Sequence, residues 1–394
     1  MPRKSLRRRR RRSSKKSKKT FTKQLTKRSK SKKIRGGVTT RNGVRRGNYR
    51  FLSTLKAQDL TRLNPDIIGE IREMHPLLTT KLNNITLRHA VKDYLSSYVK
   101  DKRFIILKYG EIGDWDVSNV TNMIQLFEGA RSFNQPLNNW NVSNVTNMYC
   151  MFLNATSFNQ PLNNWNVSNV TDMIEMFDAA TSFNQPLNKW NVSNVTSMDY
   201  MFAYATSFNQ SLNNWNVSNV NTIGGMFEGA TSFNQSLNNW NVSNVTNMTG
   251  MFSDARSFNQ PLNKWNVSNV KDMCGMFESS TRFNQPLNNW DVSNVTDNML
   301  AMFRRATSFN QPLNNWNVSN VGNMENMFDG ATSLNQPLNN WNVSKVTDMR
   351  EMFFEATSFN QPLNNWNVSK VTDMEDMFMH ATSFNQPLHA PWYS

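Results

Sequence analysis

Hydrophobic positions in residues 115–391 recur with a single period. Counted from a tryptophan, the unit reads W-N-V-S-N-V-T-N-M-x-x-M-F-x-x-A-T-S-F-N-Q-P-L-N-N. It starts eleven times, from Trp115 to Trp366, and Trp392 closes the series. The spacing is 25 residues, stretched to 26 at Trp290→Trp316 and Trp366→Trp392. A period this short predicts a solenoid, since propeller blades need about 40 residues or more. Within a unit, residues 162–167 alternate apolar and polar around Trp165 and Val167, as a short half-buried strand does. Ser168 or Thr171 then stands where a side-chain oxygen caps a helix. Met173, Met176, Phe177 and Ala180 follow at the spacing of one face of a two- to three-turn helix. The next stretch, F-N-Q-P-L, cannot prolong that helix, because proline lacks the N–H and biases its predecessor to extended geometry. Strand, helix, turn is the expected unit, and an α/β repeat solenoid the expected fold class.

The spacing L-x-x-W-x-V matches the leucine-rich-repeat strand L-x-x-L-x-L. With W-N-V-S-N-V-T-x-M-x-x-M-F and F-N-Q-P-L, the unit resembles the BspA-like leucine-rich repeat surface-protein family, the 25–26-residue bacterial and large-DNA-virus type. The resemblance implies a right-handed, leucine-rich-repeat-like solenoid that binds rather than catalyses, and a secreted or surface adhesin as one reading. Two features depart from the pattern. Val170 and its equivalents occupy the place of a ladder Asn, and an arginine-rich start replaces an export signal.

Each column has its own expected use. The tryptophans, Trp140, Trp165, Trp190, Trp215, Trp240 and Trp265 among them, are read as core; the competing reading is an exposed stacking ribbon for sugars or bases. Asn134, Asn159, Asn184, Asn209 and Asn234 open an Asn column expected to bond turn backbone and the next repeat as a structural ladder. Variation is confined mainly to positions 10, 11, 14 and 15 of the unit, such as Ile174, Glu175, Asp178 and Ala179. That row suits a specific partner or unconstrained drift, whereas the monotonous Asn and Ser positions suit a repetitive ligand or none. Abundant N-x-S/T sequons, Asn141-Val-Ser143 for example, follow from the unit's own composition. Cys150 and Cys274 lie five repeats apart and are expected as free thiols.

Charge changes the picture at the N-terminus. Residues 1–50 hold 23 Lys/Arg and no acid, residues 51–114 hold 10 basic and 8 acidic groups, and residues 115–394 hold 11 and 20. Residues 1–50 therefore read as a disordered polybasic arm, since like charges and little apolar area forbid a core. Arg7, Arg8, Arg9, Arg10, Arg11 and Arg12, then Lys15, Lys16, Lys18 and Lys19, are the candidate polyanion contacts. Nucleic acid or nuclear import, anionic lipid, or a solubilising tail are the alternatives. Residues 51–114 read as a small helical lead-in and N-terminal cap, residues 115–391 as the eleven-unit solenoid, and residues 392–394 as its end. Residues 63–71 loosely match the opening of an F-box, which would make the chain a substrate adaptor. No apolar h-region follows the basic start, so an intracellular or virion location is expected, with the cell surface as alternative. Enzyme motifs, cofactor fingerprints and metal-ligand spacings are missing, so no catalytic, cofactor-binding or metal residue is expected. The expected partners are a protein on the solenoid surface, nucleic acid or another polyanion on residues 1–36, and a second copy in an end-to-end dimer.

Overall fold

In the computed structural model, which describes residues 81–296 and 298–388, the helix expected in every repeat does not form. The chain divides into two units, Met1–Asp59 and Leu60–Ser394, and every described residue belongs to the second. The polybasic arm, the F-box-like stretch at 63–71, Asp297 and Trp392 lie outside the described residues.

Two α-helices precede the repeats: α1 (Asn84–Tyr94) and α2 (Val99–Tyr109), followed by a 3-10 turn at Ile112–Asp114. Asn83 starts α1 through a capping box, accepting from the Ile85 and Thr86 N–H groups while Thr86 Oγ1 accepts from the Asn83 N–H. Leu87, Ala90, Val91 and Tyr94 are the buried face of α1.

Beyond them the chain winds as eleven coils, one per unit, from Trp115 to Trp366. Coil 3, which starts at Trp165, shows the pattern. Residues 174–179, expected as helix, are a run of turns. The N–H groups of Met173, Glu175, Phe177 and Ala179 donate to carbonyls of the next coil (Ser197, Asp199, Met201, Ala203) over 2.8–3.3 Å. Met176, Asp178 and Ala180 donate instead three residues back within their own coil. Alternate N–H groups thus leave the coil, as in a parallel ladder, and the intervening ones close turns. Positive φ at Glu175 (54°) and Ala179 (52°) makes this possible.

The apolar pattern did not separate the two conformations. Met173, Met176, Phe177 and Ala180 are fully buried, as helix spacing required, because a run of three-residue turns puts the same positions inside. Packing separates them. Parallel bridges join successive coils at Asn147↔Asp172 and Asp172↔Ser197. Coils at strand spacing of roughly 4.8 Å leave no room for helices, which pack 8–10 Å apart by the general rule. The strand is also displaced: residues 162–167 carry no bridge, and the bridged residue of coil 3 is Asp172.

Side chains complete the joints between coils. Trp165 Nε1 donates to Leu137 O (2.9 Å), and the same bond recurs for each tryptophan from Trp140 to Trp366. Neighbouring indoles stack; the Trp165 and Trp190 centroids are 6.4 Å apart with planes 1° from parallel. Phe177 stacks on Phe183 in its own coil and on Phe202 in the next. Asn169 Nδ2 reaches back to Ser143 O (2.7 Å) and Thr171 Oγ1 to Thr146 O (3.2 Å). After the 26-residue interval the register is whole again, with Phe277 donating to Met302 O and with Met299, Met302 and Phe303 fully buried.

The coils are directional. Four peptide groups in each point their N–H toward the following coil and their C=O toward the preceding one, as at residues 172–179. Peptide dipoles therefore add along the stack, with the carbonyl, negative end at coil 1. Helix α1 meets that end with matching chemistry. Arg88 Nη1 donates to Ile124 O (2.7 Å) and Nη2 to Asn122 Oδ1 (3.2 Å). Asn84 Oδ1 accepts the backward-pointing N–H groups of Thr121 and Asn122 (2.9 and 3.2 Å).

Candidate interaction surface

The columns that repeat without change are occupied by the fold itself. Trp140, Trp165, Trp190, Trp215, Trp240 and Trp265 are buried, at most 4% exposed, with their indole N–H groups spent on backbone carbonyls. They are not accessible for stacking on a ligand. Asn134 Oδ1 accepts from the Asn159 N–H and from Gln160 Nε2 of the next coil (2.9 and 3.0 Å). Asn159, Asn184, Asn209 and Asn234 repeat the pair of bonds. The candidate polyanion residues, Arg7 to Arg12, Lys15, Lys16, Lys18 and Lys19, fall outside the described residues.

The variable row, in contrast, is on the outside of the turn run. Its side chains alternate with the buried Met and Phe, and positions 11 and 15 are the two with positive φ in every coil. Charge on this row is segregated. In coils 3 to 5 it carries Glu175, Asp178, Asp199 and Glu228, and further along come Arg304, Arg305 and Arg350. Arg304 pairs with Glu278 and Asp329 in the coils on either side (3.4 and 2.8 Å), and Arg350 pairs with Glu325. Glu175, Asp178 and Glu228 have no ion pair among the described residues. Burial, with the Glu175 and Glu228 carboxylates nearby, pushes the Asp178 carboxyl up to about 6.

Between these acids are two tyrosines at the positive-φ positions of coil 4, Tyr200 (φ 54°) and Tyr204 (φ 51°). They are 40% and 48% exposed, and no other large apolar side chain of the described coils except Met379 is exposed to that degree. Their rings lie flat on the next coil because it has glycine at both matching positions. A Cβ on Gly225 would fall 2.2 Å from Tyr200 Cε1, and one on Gly229 would fall 2.5 Å from Tyr204 Cδ1. The Tyr204 hydroxyl donates to the Glu228 carboxylate, which pushes its pKa up to about 12. Sequence reasoning passed over this pair as part of a generally variable row. The signal was there: coil 4 alone has Tyr at both positions, and coil 5 alone has Gly at both.

Nothing on the row gathers into a reactive centre. Cys150 is buried and donates to Glu175; burial and that bond push its thiol up to about 12. Burial likewise raises Cys274 to about 11, so both are protonated thiols at neutral pH. Two shallow recesses, of about 270 and 320 Å3, flank the cap at Gly113/Pro136 and at Arg88/Asn122. Among the described residues no group of three or more His, Cys, Asp and Glu is placed to hold a metal, and no helix is long and apolar enough to cross a membrane.

Comparison with known proteins gives one match. The pattern of the family described as "Mycoplasma protein of unknown function, DUF285" matches three successive segments, residues 95–215, 205–312 and 293–392. No curated protein and no solved structure matches the chain.

Proposed function

Because the chain belongs to the DUF285 family, and its matched segments are near-identical coils, we propose that it is a non-catalytic repeat scaffold whose outer row binds a macromolecular partner. One observation carries this reading. The invariant Trp, Asn, Met and Phe columns are consumed in coil-to-coil bonds and burial, while sequence variation falls on the outward positions 10, 11, 14 and 15. A leucine-rich-repeat-like role, in which a stack of repeats presents one long surface, is the function class that fits.

The basic segment adds a second element to the proposal. The 23 Lys/Arg of residues 1–50 give it the charge to neutralise phosphates without reading base sequence. Filter binding of single- and double-stranded nucleic acid by the full chain should fall with salt, with a log–log slope of ~0.7–0.9 per phosphate contacted. Deleting residues 1–36 should abolish it. Partner capture by the full chain, compared with a chain altered at Arg304 and Arg350, tests the scaffold itself. A partner retained equally by both, and by charge reversals elsewhere on the row, would show that the row is not the binding surface.

A further inference from the structure

We infer that the Tyr200–Tyr204 shelf of coil 4, with Glu175, Asp178 and Glu228 beside it, is the docking surface for an extended Lys/Arg-rich peptide segment. This rests on the scaffold reading above and names the partner class. Three observations converge. Two tyrosine rings are held open-faced to solvent, because Gly225 and Gly229 leave room for them to lie flat. Three carboxylates on adjacent coils have no cationic partner among the described residues, although farther along the row each arginine pair shows how readily such charges are matched. And the carboxylates disfavour one another, since Glu175 and Glu228 both act to raise Asp178. A cation placed among them relieves that repulsion.

The two chemistries call for the same ligand. A guanidinium or ammonium over a tyrosine face gains cation–π attraction, while its N–H groups reach a carboxylate alongside. Neutral sugars also stack on aromatic rings, but they leave the excess negative charge uncompensated. The spacing suits an extended chain. Glu175 and Glu228 are two coils apart, roughly 10 Å at strand spacing, or about three residues of extended peptide. The preferred segment therefore has cations about three residues apart.

Fluorescence anisotropy with the full chain tests this. The probe is a labelled peptide with Arg at every third position in a Gly/Ser background, and the control is its Glu-for-Arg twin. Near-physiological salt screens repulsion between the probe and the basic residues 1–50. The Arg probe should bind and the Glu twin should not. The double variant Y200G/Y204G should weaken binding roughly tenfold, the sum of two cation–π contacts. Glycine tolerates positive φ, so this variant should keep the parent's melting temperature. The double variant D178N/E228Q should weaken binding to a similar extent. The inference is overturned if the Arg probe does not bind, if either double variant binds it as well as the parent, or if a neutral oligosaccharide binds in its place and is lost in Y200G/Y204G. Should the probe fail while a captured partner still depends on Arg304 and Arg350, the scaffold reading stands and only this docking surface falls. If no probe binds and no partner depends on the row, both fall.

Discussion

Two residues in every coil adopt positive φ, and most of them are not glycine: Glu175, Ala179, Tyr200, Arg305 and Glu351 are examples. Left-handed backbone costs an ordinary L-residue roughly 1–2 kcal/mol, partly offset by the entropy that glycine loses on folding. Ala179→Gly should therefore stabilise the chain by ~0.5–1 kcal/mol in chemical denaturation, a sign opposite to that expected had residues 174–179 been helical. Gly225→Ala should destabilise it by about 1–3 kcal/mol, since the new Cβ overlaps the Tyr200 ring. Much of that loss should vanish in a Tyr200→Gly background. Asp178 makes a separate prediction. Its carboxyl is raised from the ordinary 3.8 to about 6, so between those values the folded chain holds a proton that the unfolded chain has released. This group's stabilisation is full below the unfolded value and is lost as pH rises through the folded one. Asp178→Asn should raise the melting temperature at neutral pH and flatten the stability curve between about pH 4 and 6.

At the scale of elements, α1 closes the carbonyl end of the stack, and Arg88 is its electrostatic contact. Arg88→Ala leaves Ile124 O without that donor and removes the cation from the negative end of the aligned peptide groups. A loss of about 1–3 kcal/mol is expected, as for a hydrogen bond from a charged group. Amide exchange should speed up first in coil 1, at Met123 and Gln125; uniform exchange across coils 1 to 4 would assign Arg88 no capping role. The sequence made the period, the buried columns and the Asn134-to-Asn234 ladder legible, because burial follows from where apolar side chains recur. It did not distinguish helix from turn run in residues 173–180. Met173, Met176, Phe177 and Ala180 satisfy both, and the deciding quantity, the distance between coils, belongs to no single unit. Positive φ at Glu175 or Tyr204 was equally hidden, since neither residue type signals it. The Tyr–Gly match was readable, but only by comparing coil 4 with coil 5 position by position.

At the scale of the whole molecule, nearly every coil offers its neighbours the same donors, carbonyls and rings. Units are therefore interchangeable, and the chain can shorten or lengthen by one unit with its joints intact. Excising residues 140–164 should yield a folded protein, one coil shorter, with the far-UV spectrum and cooperative melting of the parent. The exception is the junction of coils 4 and 5. Removing residues 215–239 would bring Tyr200 over Gly250 but Tyr204 over Asp254, where a side chain occupies the space that Gly229 leaves empty. That ring would have to lift from the surface. Elsewhere one unit reads like another, so copies can be gained or lost by recombination without penalty; here two units must be inherited together. Their order carries information that the rest of the array does not.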